Sequence, residues 1–452
     1  MTYIRPDFVN PTATTSPTAR QAPRPNADDL LSREIGVRQL AATIFNYTVG
    51  SGIFVIPAFA AARLGSAAIL AYIVCSVIMG LMVVCFAEAG SRVSTTGGAY
   101  AYIDAALGPF IGFLGGVLLL FVDLTATAAV ATIFAQSLLA LFDAPSSRVF
   151  VMATAAVALA VVSTINIAGI KRGVLLVEIL VAAKLIPLAV FVFAGGVAVH
   201  TANLHWTTTP TFSSVAATSG FLIFAFLGIE GALTPSGEVR APSRTVPRAA
   251  FLAIAAVTAL YIAVQLVAQG LLGAALADDR VAPLASALAV AMGPAGRTLI
   301  LAGATISMFG FLSSSLMAGP RLLFALGRDG FGPRALAAVH PGFRTPHVAI
   351  ICYAAISLAL SFSGTFEQLA ILGNLSGLLL YMSCAVAAWV LRQRDVRSSG
   401  EPFRAPGGPL VPILACAAMG WVLIETISRT EVIAVSATLA LGSIAYAMRK
   451  KL

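Results

Sequence analysis

The sequence predicts an all-α integral membrane protein of twelve transmembrane helices, and three observations carry this: composition, the lengths of the apolar runs, and the placement of basic residues. Of 452 residues, 59% are apolar and only 10% charged. A soluble chain uses about 25% charged residues to cover its surface. Mean hydropathy is +0.93, which points to lipid.

Runs of about 17–25 apolar residues are long enough to cross a bilayer as helices. Twelve stand at roughly 40–62, 67–90, 109–141, 149–168, 173–197, 213–236, 248–272, 297–325, 346–363, 367–391, 409–427 and 430–448. The apolar stretch at 283–294 is too short to span and reads as a loop helix.

The basic residues test that count. With both termini cytoplasmic, 22 of the 28 Lys and Arg, Arg321 among them, fall in inner segments. Five fall outside (Arg63, Arg148, Arg280, Arg297, Arg429), and Lys184 stands within a span. A bias of this kind marks the cytoplasmic side of a membrane protein. The net charge of +9 therefore reports topology rather than nucleic-acid binding, since no basic helix face with interleaved aromatics is present.

The first 33 residues, rich in Pro, Thr and Ala, read as a disordered cytoplasmic tail without a secretory h-region. The transport core is assigned to 34–391, and residues 392–452 to helices eleven and twelve with a short tail. The five cysteines lie in apolar runs without metal or disulfide spacing, so they act as small buried hydrophobes.

Two spans carry helix breakers near their middles. The first contains Val49-Gly50-Ser51-Gly52-Ile53-Phe54 before Pro57, and the sixth contains Phe224 to Gly231 before Pro235. Non-helical backbone at membrane depth is tolerated where it lines a cavity or is buried in protein. Breaks five helices apart fall in oppositely oriented halves, the pattern of inverted-repeat transporters. The competing reading is close helix packing by small residues, which is favoured for Gly112 and Gly116. An interrupted helix also supplies both halves of zwitterion recognition. It offers free N–H groups where one half begins, at Ser51, Gly52 and Ile53, and free C=O groups where the other ends.

Taken together, GSGIF (50–54), GGAYAY (97–102), FAFLGIE (224–230), GEVRAPSRTVPRA (237–249) and RLLFALGRDGFGP (321–333) resemble the amino acid–polyamine–organocation permeases, over about residues 33–449. The resemblance implies a five-plus-five inverted repeat followed by two further helices. It implies a substrate site of Thr48, Val49, Ser51, Gly52, Ile53, Phe224, Leu227 and Gly228. There, carbonyls near Thr48, Phe224 and Leu227 receive an ammonium, and Phe224 closes over the substrate.

Charged groups inside spans are expensive and usually functional. Lys184 lies too deep in span five for simple snorkelling. By resemblance it replaces a sodium ion between helices one and eight and carries the coupling proton, with Ser313 or Ser314 as its partner. Asp123 in span three falls where relatives that carry basic amino acids hold an acid against the substrate side chain; otherwise it is a neutral acid bonded to a nearby Ser or Thr. Three roles stay open for Glu230, namely proton sensing, lining the outward path, and capping backbone freed by the break. Glu88 resembles an acid of the inner gate.

The expected function is secondary transport of an amino acid in a bacterial inner membrane, by proton symport or exchange. The cargo is a basic amino acid or amine, or alternatively a neutral amino acid symported with protons. The resemblance leaves monomer and homodimer open. No cofactor or metal is expected, and no nucleic acid. The chain lacks HExxH, GxSxG and P-loop motifs, which argues against an enzyme or ATP-driven pump. A sensor or channel needs a soluble domain or a continuous polar stripe, which the sequence lacks.

Overall fold

The computed structural model describes residues 31–449 apart from 143, 146, 207–208, 280–281, 363–365, 399 and 427–428. Also outside the description are the side chains of 140, 224, 366–372, 374, 426, 430–431, 434 and 448–449. The tail expected at 1–33 lies almost wholly outside the described residues.

The helices in chain order are α1 (Val37–Thr48), α2 (Gly52–Leu64), α3 (Ala68–Arg92), α4 (Ala99–Leu107) and α5 (Pro109–Leu141). There follow α6 (Arg148–Ile167), α7 (Ile170–Val197), α8 (Phe212–Phe226), α9 (Ile229–Ala232) and α10 (Pro242–Leu272). The last are α11 (Pro283–Arg328), α12 (His347–Ser361), α13 (Phe366–Gln393), α14 (Leu410–Thr426) and α15 (Arg429–Arg449). The one β-bridge among the described residues pairs Ile35 with Val239.

Among the described residues, seven helical stretches are long and apolar enough to cross a membrane, α2 and α3 together forming one of them, and four shorter apolar helices accompany them. The difference from twelve apolar runs has a local cause. The break at Val49–Ser51 divides one run into α1 and α2, and the break at Leu227–Gly228 ends α8 early. α12 and α14 are 15 and 17 residues long. In α11 the loop helix is joined to the longer helix at Gly293, whose φ of 62° and ψ of −152° kink the chain.

The outer surface is the reverse of a soluble protein's. Val77, Phe193, Val197 and Ile424 are large, apolar and exposed, as expected where the solvent is hydrocarbon. Inside, α7 packs along α11, α10 along α3, and α13 and α11 against α5, with α1 held among α7, α10 and α11. The packing reading of Gly112 and Gly116 agrees with their contacts. Added Cβ atoms would meet Asp104 at 2.5 Å and Tyr100 at 2.9 Å, so these glycines let α5 lie on α4.

Two arginines counted at span ends are in fact interior. Arg321 is fully buried and forks onto Glu238, with Nε to Oε2 at 3.1 Å and Nη2 to Oε1 at 3.2 Å. Its Nη1 donates to the Met317 carbonyl at 2.5 Å. A buried charge needs such a partner, and a planar guanidinium matches a carboxylate through two bonds. Arg92 is likewise buried and donates to Glu88 at 3.0 Å.

Candidate functional site

The first break exposes backbone on both sides. α1 stops at Thr48, and the Val49 N–H closes its last turn on the Phe45 carbonyl at 2.8 Å. The Val49 carbonyl accepts Lys184 Nζ at 2.6 Å. Ser307 on α11 donates to the Val49 and Gly50 carbonyls, each at 3.0 Å. α2 then begins at Gly52, and no side chain caps it. The first N–H groups of a helix have no carbonyl within it to receive them. Gly52 presents this uncapped, partly positive helix end to a cavity.

The second break is built around Gly228. Leu227 is extended, and Gly228 takes φ 138°, a region open to glycine. A Cβ there would lie 2.9 Å from the Thr48 nitrogen and 3.0 Å from the Tyr47 carbonyl carbon, so the two breaks touch through this glycine. The Gly228 N–H donates to Glu230 Oε2 at 2.7 Å, and Tyr381 donates to the same oxygen at 2.5 Å. Of the three roles left open for Glu230, capping is the one this geometry displays. The consequence is an asymmetry: the amide at the second break already faces a carboxylate, whereas the start of α2 at Gly52 has no side-chain cap and lines the cavity.

One hydroxyl ties the breaks together. Tyr261 on α10 donates to the Thr48 carbonyl at 3.1 Å and to the Ala225 carbonyl at 2.8 Å. These are the carbonyl ends of α1 and α8, so a single side chain from a third helix sets their separation.

Between the breaks lies a cavity of about 80 Å³. Thr48, Gly50, Ser51 and Gly52 line it from the first break, and Ala225, Leu227, Gly228 and Glu230 from the second. α5 contributes Val122, Asp123 and Ala126, and α11 contributes Phe311. Asp123 is buried and accepts hydrogen bonds from Tyr47 and, at 2.8 Å, from Tyr353 on α12. Thr127 and Ser315 join those hydroxyls in one network. The lining contains two carboxylates and no basic side chain.

Of the expected site residues, Thr48, Ser51, Gly52, Asp123, Leu227, Gly228 and Glu230 converge on this cavity. Val49 turns its carbonyl to Lys184, and Ile53 is buried beside the site without lining it. The side chain of Phe224 lies outside the described residues. The α11 hydroxyl that shares a carbonyl with Lys184 belongs to Ser307, not to Ser313 or Ser314. Those two serines lie one to two turns further along α11, buried, with no hydrogen bond from either hydroxyl among the described residues. Glu88 stands apart from the cavity. It binds Arg92, approaches Arg392 at 3.6 Å and accepts the Ala405 N–H at 3.0 Å, so it fastens α3 to the segment before α14. Tyr47, Tyr261, Tyr353, Tyr381 and Ser307 went unrecognised in the sequence. Their signal was a hydroxyl within an apolar run, phenolic in the four tyrosines and aliphatic in Ser307, which must find a hydrogen-bond partner when buried.

The sequence profile of the amino acid permease family matches residues 35–446. The methylthioribose transporter of Bacillus subtilis is 30% identical over 411 residues, covering 86% of this chain and 88% of the relative. The serine/threonine exchanger SteT of the same organism is 28% identical, covering 94% and 98%. Its branched-chain amino acid permease BcaP is 26% identical, covering 87% and 90%. With the profile spanning nearly the whole chain, the protein belongs to the amino acid permease family of the APC superfamily.

Proposed function

We propose that the protein is a secondary active transporter that binds one amino acid between its two broken helices and moves it by alternating access, coupled to protons. The observation that carries this is the cavity at the touching breaks. It sets the uncapped start of α2 toward a carboxylate, and the carboxylates of Asp123 and Glu230 toward an ammonium. In this reading the chain crosses a bacterial inner membrane twelve times, with both termini cytoplasmic and its first ten helices forming an inverted repeat.

Asp123 is the receptor for the substrate side chain, which favours a basic amino acid or amine. Uptake into proteoliposomes under an imposed pH gradient tests the whole reading, and no response to any amino acid or amine defeats it. Asp123→Asn removes a charge-assisted partner worth ~1.5–3 kcal/mol, so affinity for cationic substrates should fall about 10–100-fold relative to neutral ones. An unchanged preference removes Asp123 from the pocket.

A second reading, symport of a neutral amino acid, has its own support. Both cavity carboxylates already accept tyrosine hydroxyls, and SteT and BcaP are named for neutral amino acids. Under it, Asp123→Asn leaves affinity for neutral substrates almost unchanged.

Lys184 is the coupling group, because its ammonium is the cation that meets the carbonyl freed by the first break. Lys184→Ala should retain binding, measured by thermal shift, while accumulation ceases to follow the proton gradient. Persistent dependence on that gradient rules out the assignment.

A further inference from the structure

We propose that a file of water runs along one face of α11, from the Lys184 site to the end of the bundle carrying Lys171 and Arg172, and that Lys184 exchanges its proton with the solution at that end through it. This rests on the reading of Lys184 as the coupling group.

The observation is a set of buried polar atoms with no hydrogen-bond partner among the described residues. Asn46 on α1 donates through Nδ2 to the Gly310 carbonyl at 2.7 Å, but its Oδ1 receives nothing. The hydroxyls of Ser313 and Ser314 are fully buried and unpartnered, as is Oδ1 of Asn166 at the end of α6. Ser163, one turn back on α6, has an unpartnered hydroxyl too. Leaving a buried polar group unpaired is costly, so such groups in proximity mark ordered water.

Their order along α11 makes a path. At 100° per residue, Ser307, Gly310, Ser313, Ser314 and Met317 fall within about 120° of the helix surface. Ser307 shares the Val49 carbonyl with Lys184. One turn on, a Cβ at Gly310 would meet Asn46 Oδ1 at 2.6 Å. The two serines follow. A Cβ at Gly173 on α7 would then meet Asn166 Oδ1 at 2.3 Å and Met317 at 3.7 Å, which brings α6, α7 and α11 together at the foot. The length from Ser307 to Met317 is about 15 Å, in steps of roughly 4.5–6 Å that one bridging water spans.

The neighbouring serine provides a control within the same helix. Ser315 faces the other way and is bonded to Tyr47, Thr127 and Tyr353. Among the described residues of α11, the buried hydroxyls without a partner are those of Ser313 and Ser314, and both lie within that arc. Charged groups of the helices packed against α7 stand elsewhere. Arg38 of α1 pairs with Glu178 of α7 itself, and Arg321 and Arg328 of α11 pair with Glu238 and Asp329. Arg148, Arg244, Arg248 and Arg297 sit near the starts of α6, α10 and the longer part of α11. At the foot Lys171 pairs with Glu34 at 3.3 Å; no acid is among the residues of the file itself, so hydroxyls, amides and water would carry the proton between Lys184 and that end.

The test uses the full chain in proteoliposomes holding a pH-sensitive dye. Ser314→Val and Asn166→Leu should each slow substrate-driven proton entry about tenfold or more, while substrate counterflow, which needs no net proton movement, stays near wild type. Ser314→Thr should restore proton entry. Wild-type proton entry in both blocking variants overturns the proposal. An independent measurement on the unmodified protein is radiolytic hydroxyl labelling. Met317 and Met419 are equally buried, and water in the file should oxidise Met317 well above Met419. Equal, low labelling of the two overturns the file. Should the unmodified protein show no proton coupling at all, the reading of Lys184 fails and the proton role with it, whereas labelling at Met317 reports the water alone.

Discussion

Glu238→Ala is expected to destabilise the protein by about 3–5 kcal/mol, because it strands the Arg321 guanidinium in a fully buried position. The readout is thermal unfolding of the detergent-solubilised chain. The companion variant replaces Glu238 and Arg321 together with methionine. It should recover much of the loss, since removing both charges avoids the stranded one. A Glu238→Ala protein that melts like wild type would show that Arg321 finds water or another acceptor. The expected size follows from the two lost side-chain bonds alone, because the backbone carbonyl of residue 238 is kept in the variant. Glu238 also accepts the Glu34 and Ile35 N–H groups through its carbonyl at 2.9 and 3.0 Å. The same residue therefore joins α11, the segment before α1 and the segment before α10.

Gly228→Ala is expected to abolish uptake. Its φ of 138° belongs to a region that costs a residue with a side chain about 1–3 kcal/mol. The added methyl would also press within 3.0 Å of the first break at Thr48 and Tyr47. Relief requires the breaks to part, which moves the Glu230 cap and both faces of the cavity. Gly50→Ala is the matched comparison: its Cβ would sit 3.4 Å from Phe311, ordinary contact, so it should retain most of its transport. Initial rates of substrate uptake, set against protein recovered in the membrane, separate the two. Equal rates for both variants would deny the close approach a role.

Both effects turn on motifs visible in the chain but not on relations visible there. GEVRAP and RLLFALG were legible as motifs, yet that Glu238 of one forks onto Arg321 of the other was not. The two lie 83 residues apart, and charge counting placed Arg321 at a span end. The broken helices were located closely, at Val49–Ser51 and Leu227–Gly228, because Gly and Pro act through local dihedrals and lost donors that need no tertiary context. The serines show the limit. Three consecutive hydroxyls pointed to a polar role for α11, but Ser307, about two turns earlier, is the one that reaches the Val49 carbonyl.

What the sequence determined by itself was the membrane setting, the places where helices break, and the burial of Lys184, Asp123 and Glu230. Hydropathy, propensity and the expense of charge in hydrocarbon act on each residue alone. What only the tertiary structure decided was pairing. It chose Tyr47 and Tyr353 for Asp123, Tyr381 and the Gly228 amide for Glu230, and Tyr261 for the two carbonyl ends. Partners on different helices are set by which faces of the bundle meet, and that packing depends on the whole chain at once.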